Sequence, residues 1–104
     1  MTNDCLFCEI VNKKKETKIV FEDEKIVVFP DINPKNRVHL LVVPRDHINS
    51  FLDLSSNNIL ILTNMTKVIQ RIIEEQKLQS GYKIVFNGGK YQHIPHLHWH
   101  LLGD

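Results

Sequence analysis

The sequence predicts an α+β fold: a five-stranded antiparallel sheet with one long helix and a short N-terminal helix, in a single domain spanning residues 1–104. Short β-branched and aromatic runs follow one another at close intervals. One stretch, between Ser55 and Gly81, repeats apolar residues at spacings of three and four. Residues 96–102 alternate with period two. Strands in consecutive, closely spaced order with one helix inserted argue for an antiparallel sheet.

From the N-terminus, Cys5 to Val11 reads as a short helix or turn, and Lys13-Lys14-Lys15 as a solvated loop. Ile19 to Glu22 and Ile26 to Phe29 read as strands joined by a hairpin-sized gap at Asp23-Glu24-Lys25. A turn is expected at Asp31-Ile32-Asn33-Pro34, because the residue before a proline is pushed to extended geometry. Val38 to Val43 forms a third strand, stopped by Pro44. The long helix is expected to start near Ser55 or Ser56, both good N-cap types, and to stop at Gly81. Leu62, Met65, Ile69 and Ile72 mark its buried stripe, while Ile59 to Leu62 is apolar on every side, which points to contacts beyond one sheet face. Tyr82 to Phe86 and Leu97 to Leu102 complete the sheet. So small a sheet leaves edges to cover, and dimerisation is one cure.

Composition excludes several classes. Hydrophobic residues are 42% and charged residues 24%, too apolar for disorder. Thirteen basic residues against twelve acidic leave a net charge of +1, which advertises neither nucleic acid nor an anionic membrane as partner. No apolar run is long enough to span a bilayer. The opening residues lack a basic n-region and an extended apolar h-region, so a cytoplasmic location is expected.

Histidine is the anomaly: four of the six lie between His93 and His100. In His96-Leu97-His98-Trp99-His100-Leu101-Leu102 the three imidazoles fall on one strand face, about 6.6–6.8 Å apart along the chain, with Leu97, Trp99 and Leu101 on the other. Such a row suits two chemistries. Imidazoles can bind a transition metal. Alternatively, one can act as a nucleophile while its neighbours, which disfavour each other's protonation, manage protons and phosphate charge. Separately, Cys5-x-x-Cys8 admits three readings: a disulfide, a redox pair or half of a metal site. A reducing compartment disfavours the first, an opening position outside a βαβ unit disfavours the second, and zinc would need two further ligands.

His96-Leu97-His98-Trp99-His100-Leu101-Leu102 resembles the His-x-His-x-His-x-x signature of the histidine-triad family of nucleotide hydrolases and transferases. Cys5 to Ile10, Val20 to Glu24, Phe29 to Pro34 and His39 to His47 resemble further motifs of that family, so the likeness runs from Cys5 to Gly103. Leu101-Leu102-Gly103 is similar to the ending of the Hint-like branch, whose members cleave purine nucleoside phosphoramidates and acyl adenylates as homodimers. The resemblance implies His98 as nucleophile on the α-phosphorus and His100 as a phosphate contact that helps manage the leaving-group proton. It implies Asp31 on the ribose hydroxyls, Phe29 and Ile32 at the base, Asn87 on a phosphate oxygen, and His39 as a support behind the nucleophile. Gln92 and His93 fall in the family's phosphate loop. Structural zinc on Cys5, Cys8, His47 and His96 is implied too.

The sequence departs from the pattern before the triad, where Tyr91, Gln92 and His93 replace the usual Gly-Gln-Ser. The phosphate loop is therefore expected to run differently, using Gly88 or Gly89, with His93 as a different acid. Asp104 stands where the branch has a second glycine, and the tail that shapes leaving-group specificity in relatives is not expected. The expected substrates are AMP or GMP conjugates. Rival readings are a metallohydrolase in which the triad holds catalytic zinc, a dinucleoside polyphosphate hydrolase, and a nucleotide-binding scaffold with little activity.

Overall fold

The structure is a computed structural model and describes residues 5–13 and 17–104. Lys14 and Lys15 of the expected basic loop lie outside the described residues; Lys13 is exposed and pairs with Glu22 at 3.2 Å. In chain order the elements are α1 (Leu6–Val11), β1 (Phe21–Glu22), β2 (Ile26–Pro30), β3 (Val38–Pro44), α2 (Ile61–Glu75), β4 (Tyr82–Val85) and β5 (Trp99–Gly103). The five strands form one antiparallel sheet in the order β1-β2-β3-β5-β4. The expected α+β architecture is present.

Helices cover both sheet faces at β2 and β3, which explains why these strands read as unbroken apolar runs rather than alternating ones. On one face Ile26, Val28, Leu40, Val42 and Leu101 meet Met65, Ile69 and Ile72 of α2. On the other, Val27, Phe29, Leu41 and Val43 meet Phe7, Ile10 and Val11 of α1. The two helices thus divide alternate residues of the same strands between two cores.

Four boundaries differ by more than one residue from the sequence reading, and Pro44, expected to stop β3, is its last paired residue, opposite Ile26. The first strand shortens to Phe21–Glu22, although the Val20 N–H still reaches the Val28 carbonyl at 2.8 Å. Helix α2 begins at Ile61, not at Ser55 or Ser56, because side chains there compete for the backbone. Asn58 Oδ1 accepts from the Ser55 N–H at 2.7 Å and Ser55 Oγ from the Asn57 N–H at 3.3 Å, leaving irregular turns through Leu60. The helix ends at Glu75, well before Gly81. Lys77 takes a left-handed φ of 59° and Leu78 N–H bonds back to the Ile73 carbonyl at 2.9 Å, closing a Schellman motif without glycine. Finally, β5 pairs only from Trp99, so His96 and His98 precede the strand.

Candidate functional site

The chain bends at 94–96, and the segment entering β5 is tied down where the Leu97 N–H donates to the Ile48 carbonyl at 2.7 Å. Leu97, Trp99 and Leu101 enter the α2 core. The imidazoles lie on the α1 side, where the edge of Phe7 meets His98 and His96 with ring centroids 4.9 and 5.9 Å away. His98 and His100 are 5.0 Å apart by the same measure. The three rings do not share one pocket: His96 turns to the cysteines, while His98 and His100 face a cavity of about 990 Å³.

Hydrogen bonds set each ring's proton, since a neutral imidazole carries only one. The Lys35 N–H donates to His39 Nδ1 at 3.0 Å, so the His39 proton resides on Nε2. That Nε2–H donates to His100 Nδ1 at 2.9 Å, leaving His100 with an Nε2–H. His98 Nδ1–H donates to the His96 carbonyl at 2.7 Å, which leaves the His98 Nε2 lone pair uncommitted. A free lone pair on one ring beside an N–H donor on the next is the pairing that attack on phosphorus requires. Burial lowers the pKa of His39 and of His98; burial with His98 and His39 nearby takes His100 down to about 4. All three rings are therefore neutral at pH 7. His39 backs His100, not the expected His98, because β3–β5 pairing sets Leu41 opposite His100 and His39 opposite Leu102.

Asp31 follows β2 beside this pair. Its Oδ1 accepts from the Asn33 N–H at 2.8 Å, and Oδ2 lies 3.4 Å from His39 Nε2 and 3.9 Å from His100 Nδ1. Phe29, Asp31, Ile32, His39, Asn87, His93, His98 and His100 all line the cavity; Ile32, 90% exposed, stands at its rim. Gln92 does not line it. Its amide nitrogen donates instead to the Asn49 and Ile94 carbonyls at 2.7 and 3.0 Å, pinning the segment before the triad. The segment before the triad makes a 3₁₀ turn over Gly89–Tyr91, with Gly89 at a φ of 59° that favours glycine. Tyr91 lines the cavity too, and Phe7, Lys18 and Lys35 line it without having been singled out as site residues from the sequence. Only the apolar spacing of α1 could have pointed to Phe7.

Cys5, Cys8, His47 and His96 form a second cluster whose ligand atoms all lie within 4.8 Å of one another. Cys5 Sγ is 3.3 Å from His96 Nδ1, and Cys8 Sγ is 3.1 Å from His47 Nδ1. Both rings offer Nδ1 because Nε2 is spoken for: His96 Nε2–H donates to the Pro44 carbonyl at 2.8 Å and His47 Nε2–H to Asn49 Oδ1 at 2.6 Å. Two thiols and two imidazole lone pairs, each ring oriented from behind, fit the donor set of a closed zinc site. Burial, with the Cys5 thiol alongside, pushes the Cys8 thiol up to about 11.

Residues 4–104 match the family model for the scavenger mRNA decapping enzyme C-terminal binding region. An uncharacterised HIT-like protein of Buchnera aphidicola is 38% identical over 106 residues, covering 99% of this chain and 93% of that one. A bifunctional adenosine 5'-phosphosulfate phosphorylase/adenylylsulfatase of Arabidopsis thaliana is 33% identical over 98 residues, covering 92% and 67%. The solved structure of a HIT family hydrolase from Clostridium thermocellum superposes with a TM-score of 0.95 at 33% identity, covering 100% and 93%.

Proposed function

Since the chain belongs to the histidine-triad family, we propose that it hydrolyses purine nucleoside 5'-phosphoramidates or acyl-nucleotides through a nucleotidyl-histidine on His98, as in the Hint-like branch. The observation that carries this reading is the uncommitted His98 Nε2 beside the His100 Nε2–H donor. In the first step His98 Nε2 forms a bond to the α-phosphorus. The bond from phosphorus to the leaving nitrogen or acyl oxygen breaks, and its electron pair departs with the leaving group. His93, on the exposed cavity wall, is the acid that protonates that group, and His100 donates to the phosphate oxygen on which charge builds. In the second step water attacks phosphorus, the N–P bond breaks, His98 regains its lone pair and His93 regains its proton. Asp31 takes the ribose hydroxyls, Phe29 and Ile32 the base, and Asn87 a phosphate oxygen, with Gln92 holding the loop.

Zinc on Cys5, Cys8, His47 and His96 has a structural part, tying the N-terminal segment to the triad. The protein is proposed to work in the cytoplasm as a homodimer. Among the described residues no helix is long and apolar enough to cross a membrane.

The test is release of AMP or GMP from nucleoside phosphoramidates. His98→Ala is expected to lose more than about 10³-fold in turnover, as removal of a nucleophile does. A variant keeping more than about a tenth of wild-type turnover means that the nucleophile is misassigned. Lys18 and Lys35 on the cavity wall favour a second reading, a dinucleoside polyphosphate hydrolase. Faster turnover of a dinucleoside polyphosphate than of any phosphoramidate decides for it.

A further inference from the structure

We infer that the Cys5-Cys8-His47-His96 centre is energetically coupled to the nucleotide cavity, so that metal occupancy sets nucleotide affinity and holds the proposed nucleophile in its reactive tautomer. The inference rests on the metal and nucleotide readings above, and its test separates failure of either from its own.

Two links join the sites. The first is His96. Its ring Nδ1 faces Cys5 Sγ and Cys8 Sγ at 3.3 and 3.5 Å, while its own carbonyl accepts the His98 Nδ1–H at 2.7 Å. A ligand of one site is thus the hydrogen-bond anchor of the other. A metal on that Nδ1 fixes the ring from the side opposite its Pro44 bond, and the carbonyl moves with the residue.

The second link is α1. Six residues are too few to hold a helix by themselves. Cys5 caps it, accepting the Cys8 N–H at 3.3 Å, and Cys8 sits in its first turn. Between the two cysteines stands Phe7, edge-on to His98 at 4.9 Å and to Phe29 at 5.5 Å. Leu6, Phe7 and Ile10 supply one wall of the cavity. Without metal, α1 keeps the packing of Phe7, Ile10 and Val11, one bond from Arg45 to the Val11 carbonyl at 3.1 Å, and the weak thiol–imidazole contacts of Cys5 with His96 and Cys8 with His47. Local opening of this wall then becomes the cheapest excursion open to the site, and both the base contact and the cover over His98 go with it. Coupling of this kind is reciprocal: a nucleotide that favours the closed wall must tighten metal binding by the same factor.

The test compares chelator-stripped chain with chain reconstituted with one equivalent of Zn²⁺, using AMP as probe. Three quantities are read: the Kd for AMP in each form, the Kd for Zn²⁺ with and without saturating AMP, and the imidazole ¹⁵N shifts of His98. AMP is expected to bind roughly 5–150-fold tighter with zinc, the range of typical coupling, and zinc to tighten equally with AMP. His98 should show a fixed Nδ1–H with zinc and exchanging tautomers without it. Phe7→Ala should keep the tetrahedral Co²⁺ spectrum and shrink the coupling factor. Zinc and AMP that both bind, with neither affecting the other and the His98 shifts unchanged, overturn the coupling. No zinc binding overturns the metal reading, and no AMP binding in either form overturns the nucleotide reading. A stripped chain that loses amide protection in β3 and β5 also overturns the inference, which requires the sheet to stay intact while α1 opens.

Discussion

Each imidazole of the site owes its chemistry to a partner behind it, and most of those partners are backbone groups. The Lys35 amide sets His39, His39 sets His100, and the His96 carbonyl sets His98. On the proposed mechanism His39 acts as a positioning residue through His100. His39→Ala should lower kcat by about 10–100-fold, the cost of a slightly misplaced catalytic group, and change the Kd for AMP by less than about threefold. His39→Gln, whose amide can still donate to His100 Nδ1, should recover part of the loss. An unchanged kcat in His39→Ala would remove His39 from the site's workings. Burial also makes a pH prediction. His100 titrates near 4 in the folded chain against about 6.5 unfolded, so between these values the unfolded chain binds a proton that the folded chain refuses. Stability is thus full above about pH 6.5 and falls as pH drops toward 4, by up to about 1.4 kcal/mol per unit for this group. Urea unfolding at pH 7, 5.5 and 4.5 should show a shallower decline in His100→Gln than in wild type.

At the scale of elements, the end of α2 yields a prediction contrary to the reading of the sequence. Gly81 was the natural stop, yet the chain turns at Lys77, whose φ of 59° a side chain tolerates at a cost. Lys77→Gly should stabilise by about 0.5–1 kcal/mol, the balance of relieved strain against glycine's added unfolded-state entropy. That corresponds to a rise in Tm of about 2–8 °C for a domain of this size, measurable by calorimetry. Gly81→Ala should not lower Tm, because a Cβ there meets nothing within 4 Å and the backbone is not left-handed. The contrast shows what was legible. The stripe of Met65, Ile69 and Ile72 identified α2 and the alternation 96–102 identified the triad, because both are periodic signals carried by neighbouring residues. The Schellman turn was not legible, because a lysine at C′ carries no local mark. Nor was the His39–His100 bond, made between residues 61 apart in sequence by the register of β3 on β5. The Asn58 side chain that delays α2 is a local signal that the serine N-caps alone do not carry.

At the scale of the whole molecule, the described residues leave the longer sheet edge, β4, uncovered. At the far side β1 is only two residues long, a short edge that resists pairing, whereas β4 presents four residues with one side open. Helix α2 packs over β2 and β3, so Ile84 and Tyr82, on the helix-side face of β4, remain 45% and 48% exposed. Leu60, at the start of α2, is 73% exposed as well, in the stretch that reads as apolar on every side. A second copy pairing β4 with β4 about a twofold axis would satisfy the open backbone groups and cover these side chains together. Because such an interface is isologous, one substitution acts on it twice. Ile84→Lys would remove two apolar contacts and bring two like charges toward the axis, and an exposed edge position should accept lysine without unfolding the chain. Sedimentation is expected to find wild type at twice the monomer mass and Ile84→Lys at the monomer mass, with the two far-ultraviolet spectra superimposable. A wild type that sediments as a monomer at micromolar concentration would overturn the dimer, and an Ile84→Lys variant that remains dimeric would locate the interface elsewhere than β4.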